Sequence, residues 1–362
     1  MTRRVLRVVV GWLLLASVGC SRPSAAPREA PASSAPPAAQ AAPGAERTPG
    51  ATAPLAREPL RLVYATRDGG VVPLWLAAEA GIYARYGIDA SLRYVSSGTL
   101  SMQALLAGEA DAGITAASAV VAAGLSGADT IYIGAIQRTF GFWVVATPDI
   151  TSPADLRGKR VGITRRNSTS DVALQYYLRQ LGLSPQSDVT VVEVGEHAAM
   201  LSALQSGAIQ AAVTSSPTNV VAVRNGAHEL ADLTQLGVEY PQSTLVTTRR
   251  FATAHRDLVL RFLRAVWEAT HLYKTDRPLA LQVMRQYLQS DDEELLAAVY
   301  DTYTSRLVQD VPRAYLEGTR TILAELAATT PGAQDAAPAQ FLDTSFQEAL
   351  DREGLEAQLY GR

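Results

Sequence analysis

The chain repeats itself once. Ala104-Leu105-Leu106-Ala107-Gly108-Glu109-Ala110-Asp111-Ala112-Gly113-Ile114-Thr115 returns about 100 residues later as Ala203-Leu204-Gln205-Ser206-Gly207-Ala208-Ile209-Gln210-Ala211-Ala212-Val213-Thr214. Each copy reads as the end of a helix, a glycine suited to a left-handed C-cap, a short connection and an apolar strand ending in threonine. The correspondence extends upstream. Val95-Ser96-Ser97-Gly98-Thr99 precedes the first copy and Val194-Gly195-Glu196-His197-Ala198 the second, while Leu60 to Tyr64 with Thr66-Arg67 matches Arg160 to Ile163 with Thr164-Arg165. A period of this length is too long for a solenoid and marks two similar α/β lobes. The function is then to be sought between them.

With 362 residues, 48% of them apolar, the chain exceeds what a single core usually organises, and two lobes with appendages fit. A formal charge of -3 with scattered lysine and arginine gives no basic patch for phosphate backbones, so no nucleic-acid partner is expected. The single cysteine, Cys20, excludes an intramolecular disulfide and a thiolate metal cluster. No tract reaches the roughly 20 apolar residues of a spanning helix.

The N-terminus reads as export machinery. Arg3, Arg4 and Arg7 form a basic start, Val8 to Ala16 an apolar core, and small residues lead to Cys20, so residues 1–19 are expected to be a signal peptide. Ser17-Val18-Gly19-Cys20 resembles a bacterial lipoprotein box, with Ser17 where leucine is usual, which implies lipidation of Cys20 and a membrane anchor. Residues 20–58 are dominated by alanine, proline, serine and glycine and read as a tether.

Alternating elements from Pro59 onward describe largely parallel sheets whose loops gather at one edge. Phe142 to Ala146 reads as a strand leaving the first lobe, and Thr244 to Thr248 as a strand returning to it. The expected division is lobe I over 59–146 and 247–362, and lobe II over 147–246. Val259, Phe262, Leu263, Val266 and Trp267 form one helical stripe that pads lobe I. Two crossings make a hinge able to close on a ligand.

The run Pro73 to Tyr83, then Ser96 to Thr99, Ala104 to Thr115, and Ser152 to Gly162 resembles the nitrate/sulfonate/taurine-type periplasmic substrate-binding proteins of ABC importers, a superfamily that includes the thiamine-precursor binding proteins. The resemblance implies a two-lobed type II periplasmic-binding-protein fold with two interlobe crossings, and an extracytoplasmic receptor rather than an enzyme. It also implies ABC permease subunits as partners, no cofactor and a monomer. Ligand contacts would then lie on the loops at 66–72, 96–99, 115–118, 137–140, 165–170 and 214–218.

Within those loops the chemistry points to an anion. Arg67, Arg138 and Arg165 follow strands, where a guanidinium can fork onto a carboxylate or sulfonate, although each is also suited to a salt bridge. Of the adjacent pair Arg165 and Arg166, the second reads as a surface residue. Ser168, Thr169 and Ser170 place three hydroxyls where one cap would suffice, and Ser97, Gly98 and Thr99 pose the same choice between capping and binding. Ser118 and Ser215 stand at the corresponding strand ends, and His197 takes the repeat position of Gly98 beside Glu196. Phe140 offers an aromatic wall, whereas Trp75 reads as core. The histidines lack metal-ligand spacing, so no metal is expected. A small organic anion, a sulfonate or carboxylate, is the expected ligand. The alternatives are a neutral heterocycle such as a pyrimidine precursor and a sensory receptor that never delivers solute.

Overall fold

The structure, a computed structural model, describes residues 57–361 except Asn167 and Ala328. The expected signal peptide, Cys20 and all but the last two residues of the tether lie outside the described residues.

The first half of the repeat folds as β1 (Glu58–Tyr64), α1 (Val72–Glu79), α2 (Ile82–Arg85), β2 (Ile88–Tyr94), α3 (Gly98–Leu106), β3 (Ala112–Thr115), α4 (Ala117–Leu125) and β4 (Thr130–Gln137). The second half follows as β5 (Trp143–Ala146), β6 (Arg160–Ile163), α5 (Thr169–Gln180), β7 (Thr190–Glu193), α6 (His197–Gln205), β8 (Ala211–Thr214), α7 (Thr218–Arg224) and β9 (His228–Asp232). Then β10 (Gln242–Thr248) leads into α8 (Arg249–Ala254), α9 (Arg256–Thr275), α10 (Arg277–Leu288), α11 (Glu293–Thr302), α12 (Leu316–Leu326), α13 (Ser345–Arg352) and α14 (Leu355–Tyr360).

Two five-stranded sheets result, in the orders β2-β1-β3-β10-β4 and β7-β6-β8-β5-β9. They are built alike. In each, three parallel strands come from the repeat, and the fourth, antiparallel to its neighbours, arrives from the other lobe: β10 beside β3, and β5 beside β8. The strand at 143–146, read from the sequence as the last of lobe I, pairs with β8 and β9 and so belongs to the second sheet. The likewise expected return strand begins at Gln242 and pairs along its length in the first sheet. The crossings therefore run through residues 138–142 and 236–241.

These two crossing segments hold each other. Tyr240 N–H donates to Arg138 O (2.7 Å), Gly141 N–H to Gln242 Oε1 (3.0 Å), and Leu233 N–H to Phe142 O (3.0 Å). Phe140 and Tyr240, both fully buried, pack with ring centroids 4.3 Å apart and their planes tilted by 33°.

Layering explains which strands are wholly apolar. β3, β5 and β8 are buried at every position because helices cover both faces of the sheets. One core lies where α1, α9 and α10 cover the first sheet. The predicted stripe of α9 is buried there, and Trp75 stacks on Tyr287 at 4.7 Å. Each fully buried large side chain of that stripe stabilises by about 1.5–3 kcal/mol. A second core joins the other face of the first sheet to the second, and a small third one packs Met200, Leu204 and Ile209 outside the second sheet. In parallel β/α units the strands end, and the following helices start, at one edge. Both sheets turn that edge to the same cavity.

Candidate functional site

A cavity of about 590 Å³ lies between the lobes. The first lobe contributes Thr66 and Arg67 after β1, Tyr94 at the end of β2, Ser97, Gly98 and Thr99 at the start of α3, and Thr115 and Ser118 around the β3–α4 turn. The second contributes Thr164 and Arg165 after β6, Ser168, Thr169 and Ser170 opening α5, Glu196 and His197 opening α6, and Ser215 after β8. Matching positions of the repeat thus line one cavity, Gly98 with His197 and Arg67 with Arg165.

Helix starts dominate the lining. The N-cap residues of α3, α4, α5, α6 and α7, which are Ser97, Ala116, Ser168, Glu196 and Pro217, all border the cavity. Only Ser97 closes its own helix with a side chain, accepting from Leu100 N–H at 3.3 Å. The other four make no side-chain cap bond. Free amides and the positive ends of helix dipoles therefore converge on one space, an arrangement that favours negative charge.

The hydroxyls divide into two sets. Ser168 and Ser170 are tied to each other (3.0 Å) and to Thr164 Oγ1 (2.8 and 2.9 Å), and Ser170 Oγ also accepts from Thr164 N–H at 3.0 Å. That network shapes the loop rather than capping α5. Thr115 and Ser215 are each 3% exposed as residues and line the cavity. One comes from each lobe. A hydroxyl on the wall of such a cavity can donate to, or accept from, a bound ligand. Gly98 allows the close approach here, since a Cβ at that position would stand 2.7 Å from Thr115 Oγ1.

The arginines separate in the same way. Arg67 and Arg165 line the cavity, and neither has a carboxylate partner among the described residues. Arg67 instead lies over the Tyr94 ring, 4.3 Å from its centroid. Arg166 approaches Asp171 at 3.7 Å and donates to Val191 O. Arg138 is outside the lining, paired with Glu239 at 3.0 Å and set 4.4 Å over Tyr315. Phe140 is also outside it, buried in the hinge, and Phe142 supplies the aromatic wall.

His197 adds a neutral group. Burial lowers its imidazole to about 4 from the ordinary 6.5, its Nδ1 is shielded and unpartnered, and the ring lies 6.0 Å from Phe142. It offers hydrogen bonding without charge. Glu196 is the one carboxylate of the lining, and it is engaged by the Tyr94 hydroxyl. Among the described residues no group of three or more His, Cys, Asp or Glu could hold a metal.

Several lining residues carry no sequence signal of their own. Tyr94 is the last residue of an edge strand, Gln242 and Ser243 open β10, and Gln289 reaches the cavity from the left-handed C-cap of α10 (φ 55°). Only Tyr94, an aromatic at the cavity end of a repeat strand, was open to inference from position.

Comparison with known proteins agrees with this architecture. The NMT1-like family matches residues 60–287. A protein of Brucella abortus (strain 2308) named as a binding protein is 24% identical over 241 residues, covering 66% of this chain and 74% of that protein. The alkanesulfonate-binding protein SsuA from Xanthomonas axonopodis pv. citri, solved bound to MOPS, superposes with a TM-score of 0.67 at 21% identity, over 79% of this chain and 98% of its own. The periplasmic nitrate-binding protein NrtA from Synechocystis PCC 6803 gives 0.68 at 16% identity, over 84% and 91%. The chain belongs to the NMT1-like family and has the two-lobed type II periplasmic-binding-protein fold.

Proposed function

We propose that this protein captures a small organic anion, a sulfonate or a carboxylate, between its lobes and delivers it to an ABC permease, held at the membrane by a lipid on Cys20 and the tether that follows. The observation that carries the anion reading is the pair Arg67 and Arg165, one guanidinium from each lobe, without carboxylate partners beside uncapped helix starts. The printed names of two structural relatives, alkanesulfonate-binding and nitrate-binding, lie in the same chemical direction.

Closure follows from where those donors sit. An anion held by Arg67 and Thr115 on one side and Arg165 and Ser215 on the other gains its full set of bonds only when the lobes meet, so it binds the closed form more tightly and shifts the population toward it. Contacts across the rim add to the closed form. Arg306 reaches Asp232 at 2.6 Å, and Arg224 of α7 pairs with Asp292 before α11. These are exposed pairs, each contributing about 0–1 kcal/mol, so the ligand decides the equilibrium.

The test is native mass spectrometry of protein purified from a metabolite-rich host. A small anion that leaves under denaturing conditions, and that is absent from an Arg67→Ala/Arg165→Ala variant, is expected. A neutral heterocycle retained by that variant would overturn the anion reading.

A further inference from the structure

Behind the cavity wall, the loop from β1 to α1 encloses a carboxylate. Asp68 follows the cavity-lining Arg67, is 1% exposed, and accepts from Gly70 N–H at 2.9 Å. No lysine, arginine or histidine pairs with it among the described residues, and Arg67 turns instead to the cavity and the Tyr94 ring. The groups packed around it are neutral. Burial first, and the Asp68 charge second, hold the phenols of Tyr273 in α9 and Tyr303 after α11 well above their ordinary range, and both hydroxyls are buried without a partner. Gln137, the last residue of β4, is fully buried with both amide atoms unpartnered. A Cβ placed on Gly70 would stand 2.0 Å from Gln137 Nε2, 2.5 Å from Ser243 Oγ of β10 and 3.1 Å from Asp68 Oδ1, so these three atoms share one small space. Ser243 also lines the cavity. The carboxylate therefore lies just beneath two cavity-lining residues, Arg67 and Ser243.

From this placement, and resting on the anion reading above, we infer that Asp68 makes anion capture proton-linked: the protein takes up a proton from solvent on the Asp68 carboxylate as it binds its anion. A buried carboxylate with no cation beside it is held neutral by a proton or charged at a cost. Desolvation raises Asp68 to about 6, so both forms are populated near neutral pH. An anion arriving beside Arg67 and Ser243 brings a second negative charge close to the first. At a separation of roughly 8–10 Å and an effective dielectric of about 20, that repulsion weakens binding to the ionised form on the order of tenfold. Linkage makes the effect reciprocal, so the liganded protein holds the Asp68 proton about tenfold more tightly than the free protein. Asp68 touches no ligand in this scheme and acts through its charge alone. Capture is favoured in acidic surroundings, and release as the pH rises.

The experiment is calorimetric titration of the full chain with ethanesulfonate, butanesulfonate, acetate and pentanoate between about pH 5.5 and 8, with proton uptake read at about pH 6.5 from two cationic buffers of different ionisation enthalpy, bis-tris and imidazole. Affinity is expected to fall about tenfold across that range, and binding at the intermediate pH to take up about half a proton per anion. Asp68→Asn keeps the oxygen that accepts from Gly70 N–H and is expected to abolish both the fall and the uptake. Wild-type binding without proton uptake would overturn the inference while leaving the anion site standing, and that measurement needs no variant to fold. A fall and an uptake that persist in Asp68→Asn would assign the proton to another group, His197 first, and would overturn it equally. Binding of none of the four anions at any pH would overturn the anion reading and the inference with it.

Discussion

The Tyr94 hydroxyl of the first lobe stands 3.4 Å from Glu196 Oε1 of the second, while Arg67 covers the ring of the same tyrosine. One side chain therefore links a ligand-facing cation to the opposite rim of the cavity. Tyr94→Phe keeps the stacking surface and removes only the bond across the lobes. A hydrogen bond to a charged group at a partly exposed site contributes about 1 kcal/mol, so the variant is expected to bind its anion about fivefold more weakly. Small-angle scattering should also show a larger unliganded particle. An unchanged affinity would mean that the contact does not report closure.

The two classes of arginine give opposite expectations. Arg165→Ala removes a guanidinium that has no carboxylate partner among the described residues, and a charge-assisted bond of about 1.5–3 kcal/mol predicts a loss of roughly 10- to 100-fold in affinity. Arg138→Ala removes one already paired with Glu239 outside the cavity. Its affinity should stay within about twofold of wild type, a change of under 0.5 kcal/mol as expected for an exposed pair. Equal losses in both variants would place the charge requirement in the hinge instead.

Gly98 and Gly113 separate binding from folding. A Cβ on Gly113 would stand 2.2 Å from Val63 O, a backbone atom in the centre of the first sheet, so Gly113→Ala should cost about 1–3 kcal/mol or more by urea denaturation. A Cβ on Gly98 would instead meet the Thr115 hydroxyl at 2.7 Å and Ala119 Cβ at 3.2 Å. Thr115 can yield by turning, so Gly98→Ala should fold well and lose about tenfold in affinity, roughly the 1.4 kcal/mol of one displaced donor.

Asp68 makes stability depend on pH. It is 1% exposed, and desolvation raises its carboxyl to about 6 from the ordinary 3.8 despite the bond from Gly70 N–H. A raised value means that the native state keeps a proton which the unfolded chain releases. The stability this contributes is complete below about pH 3.8 and lost as pH rises through 6. Asp68→Asn removes the loss, so its stabilisation relative to wild type should be larger at pH 8 than at pH 4 by about 2 kcal/mol. The same difference at both values would contradict a buried, ionising Asp68.

Much of the fold was legible because the repeat and the apolar spacing are local signals. The turn Gly108 and Gly207, the stripe of α9 and the N-cap Ser97 follow from residues a few positions apart. Sheet membership of Trp143 to Ala146 was not legible, because an apolar tetrapeptide is equally suited to the end of one sheet or the middle of the next, and only its pairing with β8 and β9 decides. β9 itself has no clean alternation, being half-buried along most of its length. The candidate site was read by position, since strand ends and helix starts at one edge are fixed by topology. Side-chain direction at those ends is not. Arg138 and Arg67 both follow apolar strands, yet one turns to Glu239 and Tyr315 and the other to the cavity. Gln289 came from distant packing with no pattern that distinguishes it from ordinary helix surface.

The central claim is that two guanidiniums, one on each lobe, hold an anion between them. Calorimetric titration of wild type and the Arg67→Ala/Arg165→Ala variant with the anion recovered from the purified protein tests it most directly. The account predicts one site per chain in the wild type and an affinity lower by about 100-fold or more in the variant, from two charge-assisted bonds of at least about 1.5 kcal/mol each. Equal affinity in the two proteins would contradict it.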